Sequence, residues 1–231
     1  MDNKNIVIGI EGLVGAGKTS ICRKMLDYIP NSILLNGGNL YRSVITVLLK
    51  NNITISDLTN KLAGLDIKQI MDKLGIELKI ENKETKFYYK GEEISEDELQ
   101  SEKSSMAVSS VGGITNNVSL FVFARNLIDD MKQKFNVIVS GRALMDIYPN
   151  MDYHIFITAS LEERVKRKMK QYEGEITKEK LTEHIEKRDL LQEKAGFYKI
   201  SEKTISIDVT ECKSVEESTK KVLKSIGIVT A

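Results

Sequence analysis

Gly12-Leu13-Val14-Gly15-Ala16-Gly17-Lys18-Thr19 fits the pattern G-x-x-x-x-G-K-[ST], and each fixed position has a chemical reason. Glycines let successive backbone N–H groups turn inward around a phosphate. A helix opening at Lys18 adds the positive end of its dipole. The Lys18 ammonium then reaches the β- and γ-phosphates of a nucleoside triphosphate, and the Thr19 hydroxyl takes a Mg²⁺ position. The context strengthens the pattern. It follows the β-branched run Ile6-Val7-Ile8-Gly9-Ile10 and precedes apolar residues at Ile21, Met25 and Ile29 on one helical face. A glycine turn that binds nothing has no need of Lys and Thr in that order. The sequence therefore predicts ATP and Mg²⁺, bound by Gly12, Gly15, Ala16, Gly17, Lys18, Thr19 and Ser20, with Thr19 as the metal ligand.

Loops of this kind serve kinases, GTPases and motor ATPases. The short chain and the lack of a guanine-reading Asn-Lys-x-Asp box favour a small-molecule kinase. Farther on, Leu34-Leu35-Asn36-Gly37-Gly38-Asn39-Leu40-Tyr41-Arg42 sets an arginine at the start of a second helix, where a second anionic substrate could sit. Taken alone, Arg42 reads as a surface charge.

The elements that must hold these residues read as strands alternating with helices. Pro30 ends the first helix. A strand over Ser32–Asn36 and a helix over Leu40–Lys50 follow, then a helix between Ile53 and Leu74 with Ser56 near its start. Ile76-Glu77-Leu78-Lys79-Ile80 alternates strictly, and with polar Asn82–Thr85 and Phe87-Tyr88-Tyr89 it predicts a β-hairpin. The three aromatics could stack on a base, although hairpin aromatics more often pack on their own helices. Leu120, Phe121, Ala124, Leu127, Ile128 and Met131 share one helical face. Val137–Val139 and Ile155–Ile157 read as buried strands, and between them only Asp146–Pro149 could be extended. Charged helices over Ser160–Gln171 and Lys178–Lys194, a strand over Thr204–Asp208 and a helix over Ser214–Ile226 complete the chain. The predicted class is α/β: three layers around about five parallel strands.

Charged residues make up 29% of 231 residues with a net charge of +1, so no global field points to a nucleic-acid polymer or a membrane. No apolar run approaches the ~20 residues of a membrane span. Cys22 and Cys212 read as two reduced thiols, and neither His154 nor His184 has a companion at metal or triad spacing. The expectation is a cytoplasmic monomer with small-molecule substrates.

At nearly full length the sequence resembles the bacterial cytidylate kinases, members of the P-loop kinases. Ile10–Lys18 resembles their I-D-G-P-x-G-A-G-K, and Leu35–Arg42 their L-D-[ST]-G-A-x-Y-R. The hairpin around Gly91-Glu92-Glu93-Ile94-Ser95 resembles the insert that enlarges their monophosphate-binding part, with Ser109-Ser110-Val111 matching the S-x-V after it. Ser140-Gly141-Arg142 resembles G-R-D with its preceding residue. Ala159–Arg164 with Arg167-Lys168 resembles the A-S-x-E-E-R-x-x-R-R that opens the lid. Lys187-Arg188-Asp189 and Ile207–Thr210 resemble E-R-D and I-D-T-T. The resemblance implies an inserted monophosphate-binding subdomain at 53–113 and a lid at 160–197 within one domain. It also implies catalytic roles for Lys18, Arg142, Arg164, Arg167 and Arg188. A nucleoside monophosphate would meet Asn36, Tyr41, Arg42, Ser109, Arg142, Arg188 and Asp189.

The departures fall on two kinds of residue, acids near the metal and readers of the base and sugar. Asn36 stands where the family has aspartate, Ser140 and Ala143 replace acids on either side of Gly141-Arg142, and Val118, Leu191 and Ala195 replace arginines. The phosphate-binding cations remain, whereas base readers and acids near the metal are replaced. Mg²⁺ would then rest on Thr19, phosphates and water, with Glu11 the acid left nearby; Asp146 is a weaker substitute. Two other readings stay open: a nucleotide-binding protein with little turnover, and a kinase of another phosphorylated metabolite.

Overall fold

The structure is a computed structural model that describes residues 4–53, 67–101, 118–172 and 176–228. Its elements run β1 (Val7–Gly12), α1 (Lys18–Met25), β2 (Ser32–Asn36), α2 (Gly37–Lys50), α3 (Ile67–Leu74), β3 (Ile76–Glu81), β4 (Glu84–Tyr89), β5 (Glu92–Glu93) and α4 (Glu96–Gln100). There follow α5 (Val118–Lys132), β6 (Asn136–Ser140), α6 (Leu144–Ile147), β7 (Tyr153–Thr158), α7 (Leu161–Tyr172), α8 (Lys178–Lys194), β8 (Thr204–Asp208) and α9 (Val215–Ser225). The chain forms two compact units, one of Met1–Leu34 with Met131–Ala231 and one of Leu35–Asp130.

The larger unit holds a parallel sheet in the order β6-β1-β7-β8, with Ile10 beside Ser140 and Ile155, and Thr158 beside Asp208. Every residue of β1 is buried, which is why its sequence is a continuous apolar run and not an alternation. Ile8, Ile10, Ile138, Ile155 and Ile157 pack in one core with Ile21, Cys22 and Met25 of α1 and Val222 and Leu223 of α9. The parallel register brings the carboxyl ends of β1, β6 and β7 together, so the loops after them, including 13–17 and 141–143, share one edge.

In the smaller unit β3 and β4 pair antiparallel from Ile76–Tyr89 to Glu81–Glu84. Asn82 and Lys83 both have positive φ (50° and 66°), the geometry of a tight hairpin turn whose twist matches the strands. Ser95 caps α4 in a reciprocal capping box with Glu98.

Three boundaries differ from the sequence expectation. Helix α1 ends at Met25, short of Pro30, and the chain leaves it through turns at Leu26–Tyr28. Helix α2 begins at Gly37, earlier than Leu40, because two glycines hide a helix start from a reading based on propensity. Asp146–Pro149 is not a strand: Leu144–Ile147 forms a helical turn after Ala143, whose φ is +55°. Of the helix expected between Ile53 and Leu74, Ile67–Leu74 is helical and 54–66 lies outside the described residues, as do 102–113 of the expected insert and 173–175 of the expected lid. Among the described residues no helix is long and apolar enough to cross a membrane.

Candidate active site

The loop after β1 is shaped by close approach. A Cβ on Gly12, at φ +145°, would lie 2.1 Å from the Ile157 carbonyl oxygen, so no other residue fits there. Gly17, at φ 92°, caps α1 with no side-chain bond. The N–H groups of Leu13, Val14 and Ala16 have protein acceptors. Among the described residues, none is recorded for Gly15, Gly17, Lys18, Thr19 or Ser20. A helix N-terminus with its amides uncommitted is what a triphosphate requires, and the residues fit ATP in that respect. Lys18 Nζ bridges the Gly12 and Leu13 carbonyls at 2.8 Å each.

Lys18, Arg142 and Arg188 form a half-buried cationic cluster. Burial is the main force on the Lys18 ammonium, followed by the charges of Arg142 and Arg188, and together they lower its pKa to about 7. Arg142 is lowered to about 10 by burial and then by Arg188; Arg188 is lowered by its own burial. The Arg188 Nε is buried without a hydrogen-bond partner. Like charges this close and this poorly solvated favour a bound anion.

One consequence is measurable. With a pKa of about 7, a large share of Lys18 is neutral at pH 7.5; a bound polyphosphate favours the charged form. Nucleotide binding at pH 7.5 is therefore expected to take up a substantial fraction of one proton, falling toward zero at pH 5.5. Calorimetry of ATP binding in buffers of different ionisation enthalpy reads this directly; uptake independent of pH would contradict it.

Asp189, Arg164 and Arg167 grip the loop through its backbone. Asp189 accepts the Val14 N–H at 3.0 Å and pairs with Arg164 at 2.5 Å, while Arg164 also donates to the Val14 carbonyl at 3.0 Å and to Ala159. Arg167 donates to the Ala16 carbonyl at 3.3 Å and the Val209 carbonyl at 2.7 Å, and pairs with Glu163. Val14 itself sits in an apolar cluster with Val165, Leu181 and Ile185 of α7 and α8. In this structure Arg164, Arg167 and Asp189 bind protein groups, chiefly backbone.

The acids suggested for the metal are engaged elsewhere. Glu11 accepts the Leu144 N–H at 2.9 Å and lies 2.8 Å from His154 Nε2, whose Nδ1 faces Thr204 Oγ1 at 2.9 Å. That contact to Leu144 caps α6, which explains a helical turn no local pattern predicts. Asp146 pairs with Lys199 at 2.7 Å. Among the described residues no group of three or more His, Cys, Asp or Glu side chains gathers as a metal site. A hydroxyl, phosphate oxygens and water suit Mg²⁺, which dehydrates reluctantly, so Thr19 fits that ion.

In the smaller unit Arg42 is buried and its guanidinium reaches the Leu99 carbonyl at 3.4 Å. The Asn36 N–H donates to Thr85 Oγ1 at 3.3 Å. Asn39 donates to Glu96 at 3.2 Å while its buried Oδ1 has no partner. Phe87 is buried, and Lys79 Nζ lies over the Tyr88 ring at 4.3 Å and Lys90 Nζ over the Tyr89 ring at 5.0 Å, so each of the three hairpin aromatics already has a protein neighbour. Ser109 and the Tyr41 side chain lie outside the described residues.

Two residues at the site escaped the sequence reading. Gln192 Oε1 accepts from Arg142 Nε at 2.8 Å, and the Tyr198 hydroxyl lies 2.6 Å from the same oxygen. One signal was available: Arg188, Asp189 and Gln192 fall on one face of a helix at i, i+1 and i+4.

Comparison with known proteins matches residues 8–227 to the family described as Cytidylate kinase. The cytidylate kinase of Aquifex aeolicus is 32% identical over 229 residues, covering 95% of this chain and 95% of that protein. That of Caldicellulosiruptor bescii is 30% identical over 227 residues, 96% of this chain and 95% of that protein. That of Caldanaerobacter subterraneus subsp. tengcongensis is 29% identical over 232 residues, 98% and 96% respectively.

Proposed function

The chain belongs to the cytidylate kinase family, and on that premise we propose that it transfers the γ-phosphoryl group of ATP to CMP and dCMP with looser base selection than its relatives. The observation that carries the reading is an open-amide phosphate loop beside the Lys18–Arg142–Arg188 cluster. Phosphoryl transfer needs little covalent help; it needs in-line positioning and charge stabilisation of the moving group.

Lys18 would leave its loop carbonyls for the β- and γ-phosphates, which restore its charge. Arg142 and Arg188 would hold the acceptor phosphate, and their burial strengthens that attraction by excluding water. Thr19 would hold Mg²⁺, which would supply charge neutralisation to the triphosphate. Arg164 and Arg167 are assigned to closing the lid at 160–197 over the transferring group, and their bonds to the Val14 and Ala16 carbonyls give that motion a direct hold on the loop. From the smaller unit, the matched motif supports Asn36, Tyr41, Arg42 and Ser109 as acceptor contacts.

Base selection is where the residues depart. Val118, Ala143 and Ala195 offer no side-chain hydrogen bond to a base or sugar, and an unread polar edge costs a site most of its discrimination. A phosphate-bearing acceptor should nevertheless be required. ADP release with CMP is expected to exceed that with cytidine by at least ~100-fold in kcat/KM, the scale of a lost charge-assisted anchor. Equal rates would remove the arginines from the account.

A further inference from the structure

Gln192 is a buried polar side chain on α8 that the phosphate chemistry above does not use. Its Oε1 meets two donors, Arg142 Nε at 2.8 Å and the Tyr198 hydroxyl at 2.6 Å. A carbonyl oxygen has two lone pairs, so both are engaged, and a flipped amide would set NH₂ against two donors. Tyr198 is held in turn. Its ring meets Phe156 of β7 edge-on at 5.4 Å, and its oxygen lies 3.0 Å from Asp189 Oδ1. The phenol has one proton for two acceptors, and the contact to Gln192 is the shorter.

The chemical type at position 192 matters as much as the contact. Engaging Nε alone leaves the two terminal nitrogens of Arg142, and among the described residues no other hydrogen-bond partner of this guanidinium is recorded. A carboxylate in this place would also orient the guanidinium, but as an ion pair that competes with an incoming phosphate. A neutral amide oxygen fixes direction and leaves the charge intact.

We propose that Gln192, itself fixed by Tyr198, is a positioning residue that aims the Arg142 guanidinium at the acceptor's phosphate without neutralising it. This rests on the reading of Arg142 as an acceptor-phosphate contact. Tyr198 carries the alignment from the packed strand β7, through Gln192, to the arginine. A misdirected anchor costs on the order of tenfold to a hundredfold in such sites.

The test compares wild type with Gln192→Glu, Gln192→Leu and Tyr198→Phe by separate KM values for CMP and ATP, by kcat, and by calorimetric titration with inorganic pyrophosphate. Gln192→Glu is expected to raise the CMP KM by at least about tenfold while the ATP KM and kcat change by less than about threefold. Its pyrophosphate affinity should fall at least about fivefold, and Gln192→Leu and Tyr198→Phe should show smaller shifts in the CMP KM alone. Folded Gln192→Glu protein with wild-type CMP KM and wild-type pyrophosphate affinity overturns the proposal. So does a parallel loss in both KM values that tracks thermal stability, the mark of a role in folding only. If Gln192→Glu does not fold, an unchanged CMP KM in Tyr198→Phe overturns it. If wild type turns over no CMP, the acceptor reading fails; the pyrophosphate titration then decides the positioning of Arg142, with reduced affinity in Gln192→Glu supporting it and unchanged affinity refuting it.

Discussion

Lys18→Ala is expected to lower kcat by about a thousandfold and to weaken ATP binding, the scale of removing one preorganised charge from a transferring phosphoryl group. The fold should survive. Lys18 is half-buried beside two arginines and makes its bonds to the Gly12 and Leu13 carbonyls, so its removal relieves repulsion and leaves two carbonyl oxygens to water. The pH-linked proton uptake should vanish with the ammonium. Calorimetry gives affinity and uptake together; equal ATP affinity in wild type and Lys18→Ala would contradict the account.

Arg188→Met should divide stability from activity. The side chain is half-buried, its buried Nε has no hydrogen-bond partner, and its charge depresses the pKa of both Lys18 and Arg142. Replacing a half-buried charge that repels two neighbouring cations with an apolar side chain of similar length is expected to stabilise the free protein by about 1 kcal/mol, or about 2–4 °C in Tm. The same change should cut kcat/KM for CMP by at least about a hundredfold. Proton uptake at pH 7.5 should also shrink, because Lys18 without Arg188 stays charged at higher pH. Thermal unfolding and steady-state kinetics on one preparation test this. A variant both less stable and fully active would show Arg188 to be a structural residue.

Much of the larger unit was legible because its signals are local. Val7–Gly12, Val137–Val139 and Ile155–Ile157 are buried on both sides and read as continuous apolar runs. The loop from Gly12 to Thr19 is legible for the same reason, since phosphate binding by backbone amides requires a fixed local spacing. The hairpin 76–89 followed from its alternation and its polar turn.

What stayed hidden depends on contacts distant in sequence. Helix α6 starts where it does because Glu11 accepts the Leu144 N–H from a strand 133 residues away. His154 and Glu11 form a buried pair that neither side chain announces alone. The motif around Asp189 points to a substrate contact; in the structure its carboxylate accepts from the Val14 N–H and pairs with Arg164. Gln192 looked like one more polar residue on a charged helix, and only tertiary packing sets it against Arg142. Residue types chosen for chemistry were visible, whereas residues chosen to aim that chemistry were not.

The most direct test of the central claim is kcat/KM for CMP, dCMP, UMP, AMP and GMP with ATP·Mg²⁺ under one set of conditions. Turnover of CMP and dCMP is expected, with at least one other monophosphate within ~100-fold, about 2.7 kcal/mol in transition-state binding. A preference for CMP beyond that margin would show that other residues have rebuilt a cytosine site despite Val118, Ala143 and Ala195. Absence of turnover on all five would contradict the kinase reading itself and leave a nucleotide-binding protein or a kinase of a different phosphorylated metabolite.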